Sequence, residues 1–143
     1  MGTAWHNRGH DVTFGVRNPD DPRYASLGTV RANEAAPSDA EVVVLCTPWQ
    51  GTQEAVQGCG DISGKILIDA TNPLSPDFST LEVGLTTSGA KQVPDWSARA
   101  RVCKAMNQIG APMMDRPQLA DTPMALRRGL GTDFGFGLLR GRA

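Results

Sequence analysis

The sequence predicts an α/β fold, a doubly wound parallel sheet lacking its first strand. Three observations predict it. Val42-Val-Val-Leu-Cys46 and Lys65-Ile-Leu-Ile-Asp69 are short apolar runs rich in β-branched residues, and a run apolar on both faces suits a strand covered on both faces. Strand-like and helix-like stretches alternate at lengths that suit right-handed βαβ units. Aromatic residues make up only 6% of the chain, which argues against an all-β sandwich.

The elements follow in order. Met1 to Arg8 reads as the remainder of a helix, with Gly9 as its left-handed stop. Asp11 to Val16 is a strand, and Arg17-Asn-Pro-Asp-Asp-Pro22 is a turn dense in breakers. Arg23 to Leu27 forms a short helix and Thr29 to Ala32 a weak strand. Glu34 to Ala40 is a link interrupted by Pro37. Val42 to Cys46 is the first strong strand. A helix over Gln50 to Gln57 follows Trp49, and Lys65 to Asp69 is the second strong strand. Thr71 to Thr87 is a long irregular loop rich in Pro, Ser, Thr and Gly. Gly89 to Trp96 is helical despite Pro94, and Arg101 to Ala105 is another strand. Gln118 to Ala143 carries Arg127, Arg128, Arg140 and Arg142 with five glycines and no clear period. Either a flexible tail or a shifted reading frame accounts for it. The chain thus divides into a partial nucleotide-binding domain, 1–117, and an irregular Arg/Gly-rich tail, 118–143.

Composition narrows the class of function. A chain of 143 residues suffices for one domain with a real core. Its net charge of −1 gives no basic footprint for nucleic acid. No apolar run approaches the roughly 18 residues needed to span a bilayer, and Met1 to His10 has no signal-peptide character. Cys46, Cys59 and Cys103 are odd in number and form no C-x-x-C, so a reduced, cytoplasmic setting is expected. The expected partner is a small-molecule substrate, with neither nucleic acid nor membrane; assembly as a homo-oligomer stays open.

In open α/β sheets, ligands bind beyond the carboxyl ends of the strands. That rule places Thr47, Pro48, Trp49, Asn72 and Pro73 where a cofactor would lie. A dinucleotide site also needs G-x-G-x-x-G at a helix start, so that backbone can approach the pyrophosphate. Gly2 is taken as the third of those glycines. The residue that reads the ribose 2′ position falls roughly 20 residues after the first, which is near Arg17. An acidic residue there would favour NAD. Arg17 and Asn18 instead offer a guanidinium and an amide, suited to the 2′-phosphate of NADP; a solvated turn is the competing explanation. Trp49 either walls a ring or packs on the helix it precedes. Asn72 either donates to a carboxamide or ribose, or closes an Asx turn. Ser88, within Thr86-Thr-Ser-Gly89, either binds an anion or caps a helix. Lys104 and Asn107 follow the last good strand toward the same crevice. His6 and His10 lack partners at metal or triad spacing, and no serine sits in G-x-S-x-G.

The stretches Gly9-His-Asp-Val-Thr-Phe-Gly-Val-Arg-Asn-Pro19, Val42 to Trp49, Ile68-Asp-Ala-Thr-Asn-Pro-Leu74, Thr86 to Gly89 and Val102-Cys-Lys-Ala-Met-Asn107 carry a resemblance. The chain resembles the NADPH-dependent reductases of the deazaflavin coenzyme F-420 and the broader group of NADP-binding oxidoreductases. The resemblance runs from about residue 2 to about 115. It implies a Rossmann fold whose cofactor touches Arg17, Thr47, Pro48, Asn72 and Pro73. It further implies hydride transfer between NADP(H) and a flat acceptor such as coenzyme F-420 or a flavin, with Ser88 and Asn107 on the substrate side. No catalytic residue and no metal are implied. Two departures stand out: the family's first strand and two glycines are absent, and Gln118 to Ala143 does not match. A truncated product or gene model with impaired NADPH binding is therefore expected. The alternatives are a non-catalytic dinucleotide-binding module or an inactive fragment.

Overall fold

The computed structural model describes residues 1–110 together with 118–119 and 122–123. Helix α1, Gly2–His6, opens the chain. Gly9 ends it at φ +86°. The His10 amide donates to Trp5 O and the Gly9 amide to His6 O, at 3.2 and 3.0 Å. That pair of bonds is a Schellman motif, whose left-handed position favours glycine.

Strands β1, Thr13–Val16, and β2, Thr29–Ala32, pair in parallel. Between them Pro22–Tyr24 forms one 3-10 turn, shorter than the helix expected over Arg23 to Leu27. The Asp21 carboxylate caps that turn by accepting from the Arg23 amide, and Pro22 at its start pre-sets φ.

Strands β3, Val42–Leu45, β4, Ile66–Asp69, and β5, Arg101–Lys104, form a second parallel sheet in the order β3-β4-β5. Helix α2, Thr52–Gln57, connects β3 to β4 after a 3-10 turn at Trp49–Gly51. Helix α3, Gly89–Trp96, precedes β5 and contains Pro94. Pro94 has no amide N–H to bond Ala90 O, so the helix forgoes that bond. No strand among the described residues joins β1 to β3. The fold is that of a doubly wound α/β sheet whose hydrogen-bond ladder is divided at that point.

The core lies between the second sheet and its helices. Leu45, Val56, Ile62, Leu67 and Val93 are buried, with Val43, Trp49, Trp96 and Val102 packed against them. Each fully buried side chain of this kind contributes about 1.5–3 kcal/mol. Period-2 alternation places Val43, Leu45, Leu67 and Val102 on the covered face. The opposite residues Val42, Val44, Ile66 and Ile68 stay half-buried.

The tail differs from its irregular expectation at one place. Gln118–Leu119 (β6) pairs antiparallel with Thr122–Pro123 (β7). Two-residue strands are too short to show a period in sequence. The remainder of the tail lies outside the described residues.

Candidate functional site

The loops that follow β3, β4 and β5 leave the second sheet at its carboxyl edge. Parallel register puts Leu45 beside Asp69 and Asp69 beside Lys104. Thr47, Asn72 and Asn107 therefore emerge from neighbouring strands on one side.

Thr47 is half-buried and its Oγ1 lies 3.0 Å from Thr52 Oγ1. The Thr52 hydroxyl gives its one proton to Pro48 O, 3.0 Å away, so it accepts from Thr47. This closes the turn around exposed Pro48. Trp49 points into the core: its ring centroid is 5.6 Å from that of Trp96, tilted by 42°. A Cβ on Gly89 would lie 3.1 Å from the Trp49 ring. Trp49 thus packs against Trp96 and the start of α3.

Asn72 and Asn107 meet. Asn72 Nδ2 donates to Asn107 O at 2.8 Å, and Asn107 Nδ2 approaches Asn72 Oδ1 at 3.3 Å. The structure brings together a cofactor-side and a substrate-side candidate 35 positions apart. Met106 is left-handed at φ +65°, an uncommon conformation for a residue with a side chain. It turns the chain after β5 so that Asn107 reaches Asn72. Pro73 packs near Gly89, and its carbonyl accepts from the Glu82 amide at 2.8 Å. Ser88 takes the N-cap position of α3 but makes no side-chain capping bond. Its carbonyl instead accepts from the Lys91 and Gln92 amides.

Gly2 begins α1 where a Cβ would lie 2.5 Å from Phe14 Cε1. That close approach of helix to strand is what the third glycine of a dinucleotide motif provides. Arg17, at the end of β1, pairs with Glu54 of α2 at 2.9 Å, both side chains about 70% exposed at 71% and 72%. Asn18 Oδ1 accepts from the Asp20 amide at 3.3 Å, the Asx turn that competes with a ligand role. His6 lies against Gly28. It lines a cavity of about 340 Å³ with Thr3, Phe14 and Leu27 that none of the predicted site residues touches.

Two polar residues went unrecognised. Asp69 is fully buried and Thr71 nearly so. Asp69 Oδ1 accepts from the Thr71 amide and hydroxyl at 2.9 and 2.7 Å. Asp69 Oδ2 accepts from Lys104 Nζ at 2.8 Å, and Lys104 Nζ also donates to Thr71 O. The legible signal was a lone Asp ending one apolar strand and a lone Lys ending the next. Among the thiols, burial pushes the Cys59 pKa up. Desolvation does the same for Cys46, reinforced by Asp69 and opposed by the nearby Met1 ammonium.

No helix among the described residues is long and apolar enough to cross a membrane. No curated protein matches the chain. Among solved structures, the chain is similar to a candidate F420-dependent NADP-reductase from Arthrobacter sp. FB24. The two share 28% identity at a TM-score of 0.72, over 82% of this chain and 61% of that one. The chain thus spans less than two thirds of that protein. A hypothetical protein from Sinorhizobium meliloti shares the fold at 24% identity and a TM-score of 0.57, over 71% of this chain and 49% of that one. Residues 1–73, which include Gly2, Arg17, Thr47 and Asn72, match the family described as NADP oxidoreductase, coenzyme F420-dependent, and the chain belongs to that family.

Proposed function

We propose that this chain is the NADP(H)-binding domain of an oxidoreductase that transfers hydride between NADP(H) and a flat acceptor such as coenzyme F-420 or a flavin. The observation that carries the proposal is the grouping of Thr47, Asn72 and Asn107 at the carboxyl edge of one parallel sheet. Family membership and the close fit of Gly2 on Phe14 support it.

The residues present fit NADP(H). Arg17 stands where the ribose would be read, and no carboxylate of β1 competes there. Glu54 already holds one edge of the guanidinium, but an exposed pair is worth only about 0–1 kcal/mol. Arginine carries five N–H donors, enough to keep Glu54 and donate to a phosphate. The Asn72 amide keeps one N–H beyond its bond to Asn107 and can orient a carboxamide. Thr47 and Pro48 shape the turn between them. The bound nicotinamide would supply the hydride; the chain binds and orients the ring. No side chain at this edge is assigned an acid–base step.

One observation favours a second reading, a dinucleotide-binding module without turnover. Among the described residues β1 and β3 each lack a pairing partner on the edge away from β2 and β4, and unpaired ladder groups weaken a sheet.

Titration of NADPH and NADH against the chain and its Arg17→Ala variant tests the proposal. A charged hydrogen bond is worth about 1.5–3 kcal/mol, discounted here for exposure, so NADPH affinity should fall roughly tenfold while NADH affinity holds. Equal loss for both cofactors removes Arg17 from the 2′-phosphate. Tight NADPH binding without hydride transfer to any deazaflavin or flavin favours the second reading.

A further inference from the structure

We propose that Lys104 is a positioning residue for the cofactor edge, acting through Asp69 and Thr71 on the Asn72 amide; this rests on the NADP(H) reading above. Lys104 ends β5 and reaches across to β4, where its Nζ meets Asp69 Oδ2 at 2.8 Å and also bonds Thr71 O. Asp69 Oδ1 in turn holds the Thr71 amide at 2.9 Å and the Thr71 hydroxyl at 2.7 Å. Thr71 is therefore gripped on both sides, its N–H by Asp69 and its C=O by Lys104. The next residue along the chain is Asn72. Its peptide plane is fixed by the gripped Thr71 carbonyl, and its side chain is directed at Asn107 O, 2.8 Å away.

The other half of the pair is tied to the same strand end. Asn107 lies three residues beyond Lys104, and the intervening Ala105 amide bonds Asp69 O at 3.1 Å. The loops after β4 and β5 are thus joined at their roots by an ion pair whose carboxylate is buried and at their tips by two amides. Asp69 is fully buried and its two carboxylate oxygens take three donors. Those bonds point into the loop roots, so the pair acts on a ligand through Asn72. A pair with one buried member is poor evidence for stability and better suited to fixing one arrangement.

The test is a double-mutant cycle on NADPH affinity with Lys104→Met and Asn72→Ala in the whole chain. Residues joined in one hydrogen-bond network couple measurably, so Lys104→Met should weaken NADPH roughly tenfold alone and less than about twofold in the Asn72→Ala background. The same loss in both backgrounds overturns the proposal, because a merely structural lysine does not care whether Asn72 is present. Lys104→Met leaves the Asp69 carboxylate buried without its cation. If it fails to fold, Asp69→Asn with Lys104→Met removes both charges and enters the same cycle. If the parent chain does not bind NADPH, the functional reading fails, and the proposal is judged from the Asn72 and Asn107 side-chain amide NMR signals without cofactor. Lys104→Met should move both toward free-amide positions while the Leu67 and Val93 backbone amides stay; unmoved side-chain signals overturn it.

Discussion

Replacing Gly2 by Ala tests the joint between the first helix and β1. The added Cβ would sit 2.5 Å from Phe14 Cε1 and 3.0 Å from Cζ, well inside contact distance. Phe14 is half-buried, so its ring has some room to swing. Turning it about 30° off its rotamer costs of order 0.5–1.5 kcal/mol, and lifting α1 instead costs about 1–3 kcal/mol. The gain in helix propensity returns up to about 1 kcal/mol. The cheaper relaxation dominates and little of that gain is realised at the first helical position, so the net loss is about 0.5–1 kcal/mol, a fall in Tm of roughly 2–4 °C for a chain of this size. Thermal unfolding by circular dichroism reads it, repeated in a Phe14→Val background where the ring is gone. There the alanine should cost nothing or stabilise. An equal cost in both backgrounds, or a higher Tm for Gly2→Ala with Phe14 in place, refutes the close-packing account.

Gly60→Ala should destabilise more. At φ +63° its Cβ would lie 2.6 Å from Glu34 O, and a left-handed residue plus a clash with backbone costs about 2–4 kcal/mol, readable by urea denaturation with an unchanged m-value. Asp77 is held at about 2, below its ordinary 3.8, by hydrogen bonds from Ser75 first and Ser79 next. A lowered carboxylate stabilises its turn above its unfolded pKa and loses that contribution as pH falls through the folded value. The Ser75–Thr80 turn should hold at neutral pH and loosen between about pH 4 and 2, and an NMR titration midpoint near 4 for the carboxyl would count against it. NADPH should slow amide hydrogen exchange in Thr13–Val16 as well as at the roots of the Asn72 and Asn107 loops. Protection confined to those loops would mean that Arg17 takes no part.

The strands were legible because burial on two faces demands apolar, β-branched runs, and Val42–Leu45 and Ile66–Asp69 supply them. Element ends came within a residue or two where a breaker marks them: Gly9 after α1, Pro48 after β3. The helix over Gly89–Trp96 forms with Pro94 inside it, forgoing one intrahelical bond. The short helix expected over Arg23–Leu27 shrank to a 3-10 turn at Pro22–Tyr24, since nothing apolar there repeats at helical spacing. At the site, positions were legible and partners were not. Strand-end logic put Thr47, Asn72 and Asn107 at one edge. That Asn72 bonds Asn107, or that Trp49 turns inward onto Trp96, depends on packing between residues 35 and 47 positions apart, which local pattern does not encode.

The division of the sheet bears on how such a site works. All the buried core residues of the main cluster belong to the β3-β4-β5 unit and its helices, or to the loop at Ile62. The β1-β2 pair meets that unit through polar and close-approach contacts. Arg17 bonds Glu54 at the surface, and Glu34 O lies against Gly60. Lys65 Nζ donates to Ala40 O and Ser38 O at 2.8 and 3.2 Å. The exposed Arg17–Glu54 ion pair is worth little. The spacing between Arg17 and the Asn72–Asn107 edge is therefore held less firmly than either end of it. A dinucleotide that engages Arg17 through its 2′-phosphate and Asn72 through its nicotinamide half would span the two units. Its binding energy would then order the spacing, because anything that binds only the joined arrangement stabilises it, by about 2.7 kcal/mol at a hundred times its Kd. Shorter ligands that engage one end leave that energy unused. On the proposed reading the extended cofactor, rather than either of its halves, would draw on both units.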